Sequence, residues 1–233
     1  MNRIVMVSGG GRGLGAAITK KLLSDGWSVS LGLRKPSQAD GFNAGGNNLI
    51  AFPFDANDPE TATSWVTATV QHFGRLDALV NNAGILRMVD FTQGSEQDLD
   101  DLWAVNVKAP FRLIREALPH LRKAGSGRVV NIASTDAKRY RQGTSVGYAM
   151  TKHALLAMTQ AVRFAGWDDG VRATALCPGA IDTELIAGIP GVTPKAQRLT
   201  PETVATMVAF LLSLPNNASV PEFIANTRLE SLI

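Results

Sequence analysis

Between an apolar run at residues 3 to 7 and a helical pattern that begins at residue 13, this chain places the glycine cluster Ser8-Gly9-Gly10-Gly11-Arg12-Gly13-Leu14-Gly15. The run Arg-Ile-Val-Met-Val suits a buried parallel strand. After it, Leu14, Ile18 and Leu22, with Ala17 beside them, recur at helical spacing. Glycine at such a junction lets the backbone turn sharply and approach a pyrophosphate, while the helix N-terminus offers free N–H groups and its positive dipole end. Gly11 to Ala16 also satisfy the G-x-G-x-x-A form of a dinucleotide fingerprint. The bland alternative is a flexible turn, so the weight of the motif depends on the rest of the chain.

Strands and helices continue to alternate beyond it. Asp25-Gly26 stops the first helix, and Trp27 to Leu33 reads as a second strand. The polar, glycine-rich stretch from Pro36 to Asn48 reads as a loop with at most a poorly formed helix, and Leu49 to Phe54 as a third strand. Asp58 as N-cap and Pro59 at the first helical position start a helix to Phe73. Residues 78–81 and 128–133 are further strands around a long helix from 96 to 123, where Pro110 predicts a kink. A polar loop at 135–145 precedes a helix to about Gly166, a sixth strand runs from Val171 to Leu176, and Pro178-Gly179 stops it. Residues 180–200 read as a mobile loop, 201–213 as a helix and 223–225 as a short strand. This alternation predicts an α/β fold: one doubly wound parallel sheet of Rossmann type, in a single domain over 1–233.

Composition narrows the function. A chain of 233 residues, 45% hydrophobic and 18% charged, buries a full core. A net charge of +3 without a long basic block argues against a nucleic-acid partner, and no apolar run approaches the roughly 18 residues of a membrane span. The N-terminus lacks a signal-peptide pattern, and the single cysteine, Cys177, fits a reducing cytoplasm. No metal site is assigned.

Two further places carry chemistry. Tyr148 and Lys152 stand four apart on one predicted helix face, where an ammonium favours the phenolate and lowers the tyrosine pKa from about 10. The acidic residue expected about 20 positions after the glycines, which reads the ribose of NAD, is missing. Leu33-Arg34-Lys35 stands there instead, and an arginine suits a 2′-phosphate through charge-assisted hydrogen bonds. The cofactor expectation is therefore NADP(H) over NAD(H), with Arg34 first and Arg12 and Lys35 as helpers; the alternative is that these are ordinary surface cations.

With these motifs in place the chain resembles the short-chain dehydrogenase/reductase family over nearly its whole length. The family's T-G-x-x-x-G-x-G segment is matched by Ser8, Gly9, Gly13 and Gly15, its N-N-A-G by Asn81-Asn82-Ala83-Gly84, its Y-x-x-x-K by Tyr148 and Lys152, and its P-G turn by Pro178-Gly179 followed by Thr183. The resemblance implies that Tyr148 exchanges the proton of a carbonyl or alcohol, that Lys152 lowers its pKa and holds the nicotinamide ribose, that Ser134 hydrogen-bonds the reacting oxygen, and that Asn106 anchors a water in the proton relay. It also implies cofactor contacts at Ser8, Gly9, Gly11, Arg12, Gly13, Leu14 and Arg34, at Asp55 near the adenine, at Asn82, Ala83 and Gly84, and at Pro178, Gly179, Ile181 and Thr183.

Each role has a structural rival: Ser134 as a strand-end serine, with Thr135 or Ser145 competing for its role, Asn106 as a buried hydrogen-bonder, Asp55 as a turn or cap residue. Cys177 reads as an inert buried thiol. The basic segment Lys138-Arg139-Tyr140-Arg141 borders the substrate cleft in this family, so Arg139 or Arg141, with Arg87 as a further candidate, reads either as a contact for an anionic substrate or as solvated charge. Residues 184–200, with Leu185, Ile186, Ile189 and Val192, form an expected substrate lid. The segment Glu222 to Glu230 lacks the family's glycine-rich ending, which places a tetramer in doubt and leaves a homodimer through the helices beginning near Glu96 and Val146. The expected activity is interconversion of a small-molecule carbonyl and a secondary alcohol. The competing expectation is a cofactor-binding regulator that uses the fold without turnover.

Overall fold

The computed structural model describes residues 2–42, 47–189 and 191–229. Residues 43–46 of the expected loop, Pro190 of the expected lid and the last four residues lie outside them. Seven strands, β1 (Ile4–Ser8), β2 (Ser28–Leu33), β3 (Leu49–Pro53), β4 (Ala78–Asn81), β5 (Arg128–Ile132), β6 (Arg172–Pro178) and β7 (Glu222–Ala225), form one sheet in the order β3-β2-β1-β4-β5-β6-β7. Every pairing is parallel. The helices are α1 (Gly13–Ser24), α2 (Pro59–Phe73), α3 (Glu96–Trp103), α4 (Ala109–Lys123), α5 (Val146–Gly166) and α6 (Pro201–Ser213).

The two-residue period of a strand sorts the core into two layers. Val5 and Val7 of β1 pack with Leu14, Ile18 and Leu22 of α1 and Val204 and Val208 of α6. Met6, between them, faces the other way, onto Trp65 of α2 and Leu113 and Ala117 of α4. Helices therefore cover both faces, as near-continuous apolar strands require. Chain direction across the sheet reverses between β1 and β4, so a cleft opens at the carboxyl ends of those strands.

Several boundaries depart from the sequence reading. The expected 96–123 helix is interrupted by a π turn at Ala104–Lys108, in which the Ala109 N–H reaches back to the Ala104 carbonyl. Pro110, which has no N–H, sits just beyond it, so the break falls on the turn before the proline. β6 runs on to Pro178, because the residue before a proline favours extended backbone. The 36–48 loop contains a 3-10 turn at Pro36–Phe42. Residues 180–200 are tied at their ends, where Ile181 bridges Leu199 and Arg198 pairs with Asp182. β7 completes the sheet without a glycine-rich ending. Among the described residues no helix is long and apolar enough to cross a membrane.

Candidate active site

The glycine cluster turns because two of its residues adopt a conformation that other side chains avoid: Gly9 has φ 69° and Gly13 φ 52°. Gly15 is constrained by space, since a Cβ there would lie 2.2 Å from the Gly9 carbonyl oxygen and 2.6 Å from Asn82 Nδ2. Two polar side chains fasten this loop to β4. Ser8 Oγ accepts from the N–H groups of Asn82 and Ala83, both at 3.0 Å. Asn82 Nδ2 donates to the carbonyls of Ser8 at 3.0 Å and Gly9 at 3.2 Å. The loop therefore presents the start of α1 to the cleft. Arg12 precedes that helix in an extended conformation, no side chain caps it, and no acid stands in its first turn. The first-turn N–H groups and the dipole end fit an anionic pyrophosphate.

The flanking residues converge on the same place. Thr183 lies 3.6 Å from where a Gly13 Cβ would stand, and Arg12 forms an ion pair with Glu184 across the opening. Both side chains of that pair are mostly exposed, so it contributes little stability. Arg34, at the end of β2, is exposed and without an ion pair among the described residues, which suits a 2′-phosphate. Asp55 Oδ1 accepts from the Asn57 N–H at 3.0 Å, the turn role weighed from the sequence. Gln38, absent from the sequence reading, packs against Gly11.

On the other side of the cleft, β5 and α5 assemble the polar set. Ser134 follows β5 and is buried; its Oγ accepts from the Asp136 N–H at 3.0 Å. Ser145 is excluded as its rival because it caps α5 through the Tyr148 N–H and bonds Val89. Lys152 Nζ donates to the Ile132 carbonyl at 2.8 Å and lies 5.4 Å from the Tyr148 ring centroid. A Cβ on Gly84 would lie 3.8 Å from that Nζ, so the segment after β4 reaches the same point.

The electrostatics differ from the expectation. Burial lowers Lys152 to about 8, and it also pushes the half-buried Tyr148 phenol above its ordinary value. The Asp136 charge raises the phenol further, and the Ser134 hydroxyl pulls it down. Desolvation is therefore the largest influence on the phenol, whereas spacing on a helix had predicted a lowered value. Cys177 is buried beside the same group, with its thiol raised to about 11, chiefly by burial.

Asn106 sits inside the π turn. Its Oδ1 accepts from the Ile85 N–H at 2.9 Å, and its Nδ2 donates to the Ile85 carbonyl at 3.0 Å and to Thr151 Oγ1 at 3.2 Å. The side chain is thus engaged as the buried structural hydrogen-bonder weighed as its alternative. Its main-chain carbonyl lacks the usual donor four residues on, because that residue is Pro110.

The basic loop is turned partly inward. Arg139 is 9% exposed rather than solvated and bonds Asp136 at 2.7 Å, because a buried cation requires a partner. Lys138 pairs with Glu222 of β7, and the exposed Arg87 turns to Asp98 at 3.7 Å. Arg141 keeps a buried Nε without a hydrogen-bond partner among the described residues. Asp136 and Thr151 were missed; the S-x-D capping pattern at Ser134 was the available signal for the first, and a hydroxyl beside Lys152 the only one for the second.

Residues 3–190 match the family described as short chain dehydrogenase. The chain is similar to agropine synthesis reductase of Rhizobium rhizogenes, 39% identical over 224 residues that cover 94% of this chain and 51% of that protein. It thus spans about half the length of that relative. Among solved structures it resembles an alcohol dehydrogenase of the archaeon Thermococcus sibiricus complexed with 5-hydroxy-NADP, at 26% identity and a TM-score of 0.88, covering 99% of this chain and 100% of that one. It also resembles a 3-ketoacyl-(acyl-carrier-protein) reductase of Brucella melitensis complexed with NADH, at 25% identity and a TM-score of 0.87, covering 97% of each chain.

Proposed function

The chain belongs to the short chain dehydrogenase family of oxidoreductases, and from that premise we propose that it uses NADP(H) to interconvert a carbonyl and a secondary alcohol, with Tyr148 as acid/base. The observation that carries this reading is that Lys152, beside the Tyr148 ring and bonded to Ile132 at the carboxyl end of β5, is reached by Gly84 of the same segment after β4 to which Ser8 and Asn82 fasten the glycine turn before α1. Ser8, Gly9, Gly11, Arg12, Gly13 and Leu14 would hold the pyrophosphate, and Asn82, Ala83, Gly84, Pro178, Gly179, Ile181 and Thr183 the nicotinamide half. Arg34 would take the 2′-phosphate. Bound there, the nicotinamide supplies or accepts the hydride.

The protein's own residues handle the proton. In the reducing direction Tyr148 donates from its phenol to the reacting oxygen, which Ser134 also hydrogen-bonds as its charge develops. Tyr148 keeps its proton in the unloaded cleft, as a general acid must. Lys152 spends one donor on Ile132, leaving others for the ribose hydroxyls and for replenishing the phenol. The Asn106 carbonyl, deprived of an N–H by Pro110, offers an acceptor for a relay water behind the lysine.

Residues 184–200 would close over the substrate as a lid. Arg141 is the loop cation whose unsatisfied Nε favours an anionic substrate. A preference for anionic ketones that disappears in Arg141→Ala would assign it, and equal effects on neutral ketones would remove it. Apolar side chains left exposed on α4 and α5, Phe111, Met150 and Phe164, support a homodimer through those helices. Sedimentation of Phe111→Asp with Phe164→Asp should then show monomer. The single reduced Cys177 suits a cytoplasmic enzyme.

Turnover of a panel of ketones, aldehydes and sugar or steroid alcohols, followed by cofactor absorbance, tests the central reading. Tyr148→Phe should abolish turnover, by about a thousandfold or more, while NADPH binding stays within about twofold. Retained turnover in that variant would discard Tyr148 as the proton donor, and NADPH binding without turnover of any panel member by the native protein would favour a regulator.

A further inference from the structure

Tyr148 stands on α5 between two buried hydroxyls, those of Ser145 and Thr151. Ser145 Oγ accepts from the Tyr148 N–H at 3.1 Å, and Thr151 Oγ1 donates to the Tyr148 carbonyl at 2.7 Å. The main chain of Tyr148 is therefore held from both sides. Each hydroxyl also reaches toward the segment that follows β4. Ser145 Oγ accepts from the Val89 N–H at 3.2 Å and donates to the Val89 carbonyl at 3.3 Å. Thr151 Oγ1 accepts from Asn106 Nδ2 at 3.2 Å, and the same side-chain amide holds both the N–H and the carbonyl of Ile85.

A hydroxyl has one proton and two lone pairs. Ser145 spends all three on Tyr148 and Val89, so it keeps none for a reacting oxygen and serves as a tie between two elements. Packing reinforces that tie. The Gly147 N–H donates to the Val89 carbonyl at 3.2 Å, and a Cβ on Gly147 would lie 3.2 Å from the Val89 Cβ and 3.0 Å from Leu102 Cδ1 of α3. The first turn of α5 is thus pressed against Val89. Just before Ile85, a Cβ on Gly84 would lie 3.8 Å from Lys152 Nζ. Residues 85–89 are therefore fastened to the helix turn that carries Tyr148 and Lys152, through Asn106 at one end and Ser145 at the other.

We propose that Ser145 and Thr151 are positioning residues for Tyr148, which lock its helix turn to residues 85–89 and so fix where the phenol stands. They touch neither substrate nor cofactor in this scheme and act through Tyr148, so their role rests on the reading of Tyr148 as acid/base. The phenol oxygen lies at the far end of its side chain, where a tilt of the main chain is magnified, and a misplacement of about 1 Å at a reacting atom costs about 100-fold in rate. The competing role is helix capping alone, in which Ser145 serves only the stability of α5.

Glycine starts a helix nearly as well as serine but carries no hydroxyl, so Ser145→Gly removes the tie to Val89 while costing α5 little. The test is kcat per NADPH-binding site, with sites counted by fluorescence titration and turnover taken on the ketone that the native protein reduces fastest. Counting sites separates slower chemistry from a smaller folded fraction. Ser145→Gly should lose about 10- to 100-fold in kcat per site, and Ser145→Thr, which keeps the hydroxyl, should stay within about threefold of native. NADPH affinity should change less than about threefold in both, since the tie acts on the proton donor. Thr151→Val and Thr151→Ser repeat the comparison at the other hydroxyl, and they carry the test if Ser145→Gly fails to fold. A second readout needs no substrate. Amide hydrogen exchange in Ser145→Gly should quicken by about tenfold or more at residues 85–89 and 146–150 together. Unchanged kcat per site, or faster exchange confined to residues 146–150, would overturn the proposal and leave Ser145 as a helix cap. Turnover surviving in Tyr148→Phe would instead overturn the acid/base reading beneath it.

Discussion

At the scale of single residues, the same side chain takes its role from what surrounds it. Lys152 and Tyr148 share a helix face as their spacing requires, yet burial raises the phenol and lowers the ammonium, so each is held closer to neutral than a surface pair would be. Arg139 and Arg34 show the same principle with opposite outcomes. Both are arginines beside the cleft, but Arg139 is buried against Asp136 whereas Arg34 stands exposed at the end of β2. Arg34→Ala should weaken NADPH binding by about 10- to 100-fold, the loss of a charge-assisted hydrogen bond to a phosphate, and change NADH binding by less than about threefold. Fluorescence titration with both cofactors measures the difference, and equal losses would mean that Arg34 does not read the 2′-phosphate.

At the scale of elements, the junctions matter more than the helices and strands they join. Ser8 and Asn82 fasten the glycine turn to β4, and Asn106 fastens the π turn to the segment after β4 through Ile85. Replacing Asn106 by alanine strands the Ile85 N–H and carbonyl, and should cost about 2 kcal/mol of stability in urea unfolding. A loss below about 0.5 kcal/mol would show that Ile85 finds other partners. These junctions were only partly legible. The glycines, Asp58-Pro59 and Pro178-Gly179 are local signals and marked their turns. The π turn had only Pro110 to announce it, because a helix that gains one residue per turn keeps an apolar pattern close to that of an ordinary helix.

At the scale of the whole molecule, the buried groups of the candidate site tie global stability to pH. Lys152 titrates at about 8 in the folded chain against an ordinary 10.5, so its contribution is present above the higher value and is lost as pH falls through the lower one. Cys177, raised to about 11 from 9.0, and Tyr148, raised from 10.0, have the opposite sign: their contributions are present at lower pH and are lost as pH rises past those ordinary values. Between about pH 8 and 9 Lys152 therefore acts without them. The urea midpoint of the cofactor-free protein should rise across that interval and flatten in Lys152→Met. A native midpoint that stays level would mean that the folded lysine remains as well solvated as the unfolded one.

The strand-and-helix alternation, the glycine turn, the Tyr148–Lys152 spacing and the basic end of the second strand were determined by sequence alone, because each arises from neighbours along the chain or one helical turn apart. The strand order that sets β4 beside β1, the bond from Lys152 to Ile132, the inward turn of Arg139 and the direction in which Tyr148 shifts were decided only by the tertiary structure. Each depends on which distant groups exclude water from a given atom, and desolvation is a property of the folded surroundings rather than of local spacing.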